Sequence, residues 1–239
     1  MSTFYNENDR HAAAWLRELA KGEHITDGVV DERSIKELTG DDLAGYNRVH
    51  LFAGIGGWDY ALKLAGWPED AEVWTGSCPC QPFSSAGKRQ GVADDRHLWP
   101  DMFRLIRERR PATIFGEQAA RGAGCGWLDG VAGDLEGIGY SVGAAILSAS
   151  AANAPHRRDR LWFVADSVRG ERREKPHGRT TGRVGRQQQL LPWNGGWPSA
   201  LARFRAMGDG LPRCVEGTDA ARNAIVPQVA AAFITAFME

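Results

Sequence analysis

His50-Leu51-Phe52-Ala53-Gly54-Ile55-Gly56-Gly57 decides the fold: an apolar strand runs into a glycine-rich turn, and residues 59–65 after Trp58 read as the helix that leaves it. Such a unit lets a ligand approach the backbone at the helix N-terminus, although a strand followed by glycines is equally the pattern of an ordinary tight turn. Outward from it, short apolar runs alternate with amphipathic stretches as far as about Ser167, the pattern of an α/β sheet covered by helices. Strands are predicted at residues 2–5, 49–52, 72–76, 113–115, 141–146 and 161–164. Ala12, Leu16 and Leu19 fall on one helical face, as do Met102, Leu105 and Ile106 after Pro100. Residues 166–198 differ, being rich in Arg, Gly and Gln, and read as an inserted loop or small subdomain. Asn223-Ala224-Ile225-Val226-Pro227 then leads into an apolar last helix over residues 228–237.

The chain of 239 residues, 43% hydrophobic and 25% charged, is expected to be globular and is long enough for one large domain or one domain plus a small appendage. No apolar run approaches the about 20 residues that span a bilayer. The first residues lack the basic and apolar regions of a signal peptide, so a cytoplasmic location is expected. Four scattered cysteines, Cys78, Cys80, Cys125 and Cys214, read as reduced thiols rather than a disulfide framework. A net charge of -1 excludes nucleic-acid binding by bulk positive charge and leaves it to local patches. Residues 166–186 supply one, with seven basic side chains (Arg169, Arg172, Arg173, Lys175, Arg179, Arg183, Arg186) against three acids. A solvated basic loop is the competing reading.

Gly76-Ser77-Cys78-Pro79-Cys80-Gln81-Pro82-Phe83-Ser84 is the sharper signal. It follows a predicted strand, so it lies at the carboxyl edge of the sheet, where open α/β folds place their sites. Two prolines rigidify the turn holding Cys80, and Lys88 and Arg89 nearby favour a thiolate suited to nucleophilic attack. A buried structural cysteine, or half of a metal site with Cys78, are the alternatives. No histidine is followed by x-Glu, which excludes zinc-deaminase chemistry.

At these residues the sequence resembles the DNA cytosine-5 methyltransferases. Phe52-Ala53-Gly54-Ile55-Gly56-Gly57 looks like the first cofactor motif of that family, and Pro79-Cys80-Gln81 is similar to its catalytic motif, followed by the spaced Gly87, Gly91, Asp94 and Arg96. Phe115-Gly116-Glu117-Gln118 resembles the motif of the catalytic glutamate, where the family usually reads Glu-Asn-Val. His156-Arg157-Arg158-Asp159-Arg160 stands where the family has Gln-x-Arg-x-Arg. Arg222-Asn223-Ala224-Ile225-Val226-Pro227 looks like the last motif, with Arg222 in place of a usual glycine. The resemblance implies S-adenosylmethionine as cofactor, with Phe52, Ala53, Gly54, Gly56, Pro79, Asn223 and Ile225 in its pocket, and a monomer acting on double-stranded DNA without a metal. Cys80 is cast to add to carbon 6 of cytosine, Glu117 to bind ring nitrogen 3 and the exocyclic amine, and Arg160, assisted by Arg158, to hold the carbonyl at carbon 2. Phosphate contact or surface salt bridging is the plainer reading of the arginines. The base must be flipped, with a loop carrying Ser84, Ser85, Lys88, Arg89 and Arg96 closing over it.

Between the glycine turn and Cys80 the family carries two strand-helix units that are missing here. Phe4-Tyr5-Asn6-Glu7-Asn8-Asp9 resembles the second motif, a short strand ending in a carboxylate, and Val29-Val30-Asp31-Glu32-Arg33-Ser34-Ile35 followed by a polar helix is similar to the third. The expectation is therefore a Rossmann-like, mostly parallel α/β sheet with helices on both faces, of the S-adenosylmethionine-dependent methyltransferase type, circularly permuted in sequence. Glu7, with Asn8, would bind the ribose hydroxyls, and Asp31 and Ile35 the adenine side. An unrelated helical extension over residues 1–47 is the alternative. The expected organisation is a catalytic and cofactor-binding unit over residues 1–165, a very small basic target-recognition region over 166–213, and a returning helix over 214–239.

Methylation of carbon 5 is the leading expectation. A cofactor-independent deamination to uracil, using the same Cys80 and Glu117, and an inactive DNA-binding relative are the alternatives. So few residues between the arginine motif and the last motif predict a short target or weak specificity, with Arg169, Arg172, Arg173, Arg183 and Arg186 on phosphates and salt-dependent binding.

Overall fold

The structure is a computed structural model that describes residues 2–79, 98–119, 124–152, 154, 158–167 and 224–239. Its elements run β1 (Thr3–Asn6), α1 (Arg10–Lys21), β2 (Gly28–Asp31), β3 (Arg48–Leu51), α2 (Gly57–Ala65), β4 (Val73–Gly76), α3 (Trp99–Arg109), β5 (Thr113–Ala119), α4 (Gly124–Gly137), β6 (Ser141–Ser148), β7 (Asp159–Asp166) and α5 (Pro227–Met238). One seven-stranded sheet takes the order β2-β1-β3-β4-β5-β7-β6. The first five strands are parallel, and β7 runs antiparallel to both of its neighbours.

Counting β3 as the first strand, β1 as the second and β2 as the third, the parallel part reads 3-2-1-4-5, the order of a doubly wound sheet. The expected change of strand order is seen, but it is a transposition and not a circular permutation: the two strands outside the glycine-turn strand come first in the chain, and the glycine-turn strand follows them directly instead of coming last. Parallel pairing needs only that each crossover bring the chain back to the same edge, so the order in space survives a change of order in sequence.

Two layers of side chains hold the sheet. On one face Tyr5, Phe115 and Trp162 pack under α1, α2 and α5 with Leu16, Leu62, Val229 and Ile234. On the other, Phe4, Val49, Trp74, Ile114 and Phe163 meet Met102, Leu105 and Ile106 of α3 and Val131 and Leu135 of α4. The helices start on recognisable chemistry. Asp9 caps α1 by accepting from the N–H groups of His11 and Ala12, and Pro227 opens α5 where a missing N–H costs nothing. The buried stripe of α1 is Ala13, Leu16 and Leu19, one residue along from the expected Ala12.

Two expectations need correction. The polar helix after β2 is instead two 3-10 turns, Ile35–Glu37 and Asp41–Leu43. A Ser34/Glu37 capping box starts the first, but the Arg104 guanidinium takes the carbonyls of Ile35 and Leu38, and Leu38 is extended, so the helix does not propagate. Strands β5 and β7 are longer than predicted, because they pair with each other antiparallel over their whole length. The basic target-recognition stretch from residue 168 to 213 lies outside the described residues.

Candidate active site

Register places the carboxyl ends of five strands on one line: Asp31, Asn6, Leu51, Gly76 and Gly116 are successive cross-strand partners. The residues that follow them, among them Glu7, Phe52, Ser77 and Glu117, therefore leave the same edge of the sheet.

At β3 the chain turns sharply. Phe52, Gly54 and Gly56 all take left-handed backbone conformations, with φ of 53°, 56° and 77°. Gly56 is the N-cap of α2, and a Cβ there would stand 3.1 Å from an Ile25 methyl carbon, so glycine is required for both conformation and space. A Cβ on Gly54 would meet nothing within 4 Å, so the turn presents its backbone to open space. The half-buried Glu7 stands beside it: Oε2 accepts from the Gly54 N–H at 2.8 Å and Oε1 from the Asp9 N–H at 2.9 Å. Ala53 N–H donates to the Asn6 carbonyl, which pins the turn to β1. The front of the chain thus supplies a carboxylate at the glycine turn, 47 residues away in sequence. A carboxylate and an open backbone turn at one sheet edge fit the hydroxyls and charged chain of a nucleoside ligand.

Behind the turn lies a buried polar cluster. The Asp59 carboxylate of α2 is fully buried; it accepts from the Thr26 N–H at 2.7 Å and stands 3.4 Å from His50 Nε2 and 3.7 Å from Arg48. His50 Nδ1 is 2.8 Å from the Thr75 hydroxyl, and the Tyr5 ring stacks on the imidazole at 5.0 Å. Burial opposes ionisation of Asp59, but the His50 and Thr26 contacts outweigh it and bring its pKa down to about 2.

Across the edge, Glu117 is only 7% exposed, and Arg160 Nε lies 2.6 Å from its Oε1. Trp162 is the cross-strand partner of Glu117, so Glu117, Trp162 and Arg160, two residues along β7, project from the same face. Burial pushes the Glu117 carboxyl above the usual carboxylate range, and the Arg160 and Arg158 charges offset this only in part. Arg158, half-buried, donates to the Ala224 carbonyl at 2.8 Å and so ties the start of β7 to the segment before α5. Gln118, buried, donates from Nε2 to the Cys78 carbonyl at 3.2 Å and joins β5 to the turn that leads to Cys80.

The structure therefore brings Glu7, Phe52, Ala53, Gly54 and Gly56 together on one side and Glu117, Arg158 and Arg160 on the other. Asn8 and Pro79 are exposed beside their predicted neighbours. Asp31 ends β2 as expected, but its carboxylate is engaged by Arg33 through the backbone N–H, Nε and Nη2, and these contacts outweigh burial to lower its pKa. Ile35 is 3% exposed in the core beneath the sheet, so its side chain supports the loop from below. Ile225 packs against α2, with its Cγ1 2.8 Å from where a Gly57 Cβ would stand. Cys80, Ser84, Ser85, Lys88, Arg89, Arg96, Arg169, Arg172, Arg173, Arg183, Arg186 and Asn223 lie outside the described residues.

The sequence reading passed over Asp59, His50, Arg48 and Trp58. The signal was present: a central parallel strand buried on both faces should read as continuously apolar, and Arg48-Val49-His50-Leu51 does not. Among the described residues no group of three or more His, Cys, Asp or Glu is placed to hold a metal, and no helix is long and apolar enough to cross a membrane.

A doubly wound, mostly parallel sheet ending in an antiparallel pair, with a glycine turn and a carboxylate at one edge, is a Rossmann-like α/β fold. The family model for C-5 cytosine-specific DNA methylase matches residues 66–184. Type II methyltransferase M.HhaI of Haemophilus parahaemolyticus is 27% identical over 167 residues, covering 54% of this chain and 51% of that enzyme. Type II methyltransferase M.AluI of Cellulosimicrobium cellulans is 31% identical over 139 residues, 53% of this chain and 26% of that enzyme. Among solved structures, the Dnmt2 methyltransferase of S. pombe superposes with a TM-score of 0.42 at 17% identity, over 82% of this chain and 63% of that one. The chain belongs to the C-5 cytosine-specific DNA methylase family. It spans about half the length of M.HhaI, and the family match begins beyond the glycine turn.

Proposed function

We propose that the chain is a DNA (cytosine-5)-methyltransferase that takes its methyl group from S-adenosylmethionine and acts on a cytosine flipped out of duplex DNA. The observation that carries this reading is the pairing of Glu117 with Arg160 at the sheet edge, one residue beyond the register at which β4 leaves toward Cys80. Glu117, whose ionisation burial opposes, is assigned to ring nitrogen 3 and the exocyclic amine, and Arg160, assisted by Arg158, to the carbonyl at carbon 2. That polarisation makes carbon 6 a target for the Cys80 thiolate, and the addition moves electron density onto carbon 5. Carbon 5 would take the methyl group, with S-adenosylhomocysteine as the leaving group. Loss of the carbon 5 proton to solvent would then restore the C5–C6 double bond and break the bond from carbon 6 to sulfur, releasing the Cys80 thiolate. Glu7 is assigned to the ribose hydroxyls, with Phe52, Ala53, Gly54 and Gly56 supplying backbone at the same place. The cofactor, when bound, supplies an electrophilic methyl group. Asn8, Asp31 and Ile35 keep supporting places around that pocket, and Pro79, Asn223 and Ile225 border it. The basic side chains of residues 84–96 and 169–186 are assigned to the DNA backbone, with a short target site and strongly salt-dependent binding.

Incubation of a defined duplex with and without S-adenosylmethionine, followed by nucleoside mass spectrometry, tests this. Cofactor-dependent 5-methylcytosine is expected. Uracil formed without cofactor, or DNA bound and unchanged, contradicts it.

A further inference from the structure

Trp58 is the residue directly after the glycine turn, in the first turn of α2, and is 3% exposed. Its indole is a donor with no acceptor capacity, so it reports which group it was built to reach. Nε1 donates to the Ser77 hydroxyl at 3.0 Å. Ser77 is the first residue beyond β4, three before Cys80. The same ring also meets the aromatic side chains of β5 and β7: Trp162 at 5.5 Å in a T-shaped contact, and Phe115 at 6.3 Å, stacked. Trp162 is the cross-strand partner of Glu117, and Phe115 lies two residues before it on the same face. One side chain therefore touches the turn at the donor edge, the exit of the cysteine strand and the packing beneath the glutamate.

We propose that Trp58 is a positioning residue that couples the glycine turn to the turn carrying Cys80, through its Nε1–H bond to Ser77 Oγ. The inference rests on the function proposed above. Ring packing alone fixes α2 on the sheet, but it leaves the β4 exit free to slide along the ring face. The hydrogen bond is directional and fixes that exit relative to the helix N-terminus. The donor group and the nucleophile approach the same base from these two segments, so their relative placement enters the rate of methyl transfer rather than the affinity for either ligand.

The test is a double-mutant cycle on the full chain with Trp58→Phe, which keeps the aromatic ring and removes the donor, and Ser77→Ala, which removes the acceptor. The readouts are single-turnover methyl transfer to a cytosine-containing duplex at saturating S-adenosylmethionine, cofactor affinity by calorimetry, and the melting midpoint. Each single variant is expected to slow transfer about fivefold, the double variant to be no slower than either, and cofactor affinity to stay within about twofold. Ser77→Thr, which retains a hydroxyl, is expected to keep the wild-type rate. Losses that multiply in the double variant, rates unchanged in the single ones, or a loss that follows cofactor affinity or melting overturns the coupling while leaving the methyltransferase assignment intact. A wild-type chain that binds no cofactor and transfers no methyl group overturns the assignment and the coupling with it.

Discussion

Asp59 and Glu117 are both buried carboxylates in the layer under α2 and α5, yet the fold treats them in opposite ways. Burial works against the charge of each. At Asp59 the surroundings win, because His50 and Thr26 converge on the carboxylate and hold its pKa at about 2. At Glu117 burial wins, and the carboxyl is raised even with Arg160 2.6 Å away. The difference separates two uses of a buried acid. The donor side of the sheet spends its charge on joining β1, β3, β4 and α2 behind a turn whose working surface is backbone. The β5–β7 side keeps a carboxyl whose ionisation burial opposes, the environment expected of a proton-carrying group.

The sharpest way to break the comparison is Glu117→Gln. It is expected to lower single-turnover methyl transfer by about 10²–10³ while leaving unfolding free energy unchanged or slightly higher, because a neutral side chain replaces one whose charge is disfavoured. A matching loss of stability would show that Glu117 is structural. Asp59→Asn is the mirror image. Removing one partner of a buried pair leaves Arg48 uncompensated and should cost about 3 kcal/mol in denaturant unfolding, with the transfer rate at saturating ligands within a few-fold of wild type.

Acidity should separate the two groups as well. Asp59, depressed in the fold, contributes stability that is present above the ordinary aspartate range and is lost as pH falls toward about 2. Glu117, raised in the fold, acts in the opposite sense: its contribution is present at low pH and lost as pH rises through its folded value, and methyl transfer should fall with it. Stability and rate profiles of Asp59→Asn and Glu117→Gln should each lose only the corresponding limb. The smallest effect is expected for Arg33→Ala. Its pairs with Asp31 and Asp42 are solvent-exposed, so the melting midpoint should stay within experimental error.

The parallel half of the fold was legible because most of its strands carry short apolar or aromatic runs followed by a turn, and Glu7 was singled out by the resemblance of residues 4–9 to the second motif of the family. The missing strand-helix units do stand ahead of the glycine turn, as a transposed pair and not as the expected circular permutation. The antiparallel β5–β7 pair was underestimated in length, since Gly116, Glu117 and Gln118 are poor strand formers by composition and are held extended by their partners on β7. The turns after β2 were misread as a helix because the deciding group, Arg104, comes from α3, 66 to 69 residues away. Ile35 looked like a ligand contact and is core, a distinction that only packing resolves. Trp58 was visible as an aromatic after the glycine turn, but its hydrogen bond to Ser77 depends on how α2 lies across β4.

The central claim is that a carboxylate from the front of the chain and a glycine turn 47 residues later build one cofactor site. Calorimetric titration of S-adenosylmethionine into the wild-type chain and Glu7→Ala tests it most directly. The expected result is binding by the wild type and an affinity weaker by about tenfold or more in the variant, the loss of charge-assisted hydrogen bonds to the ribose. Equal affinities for the two proteins, both folded, would contradict it.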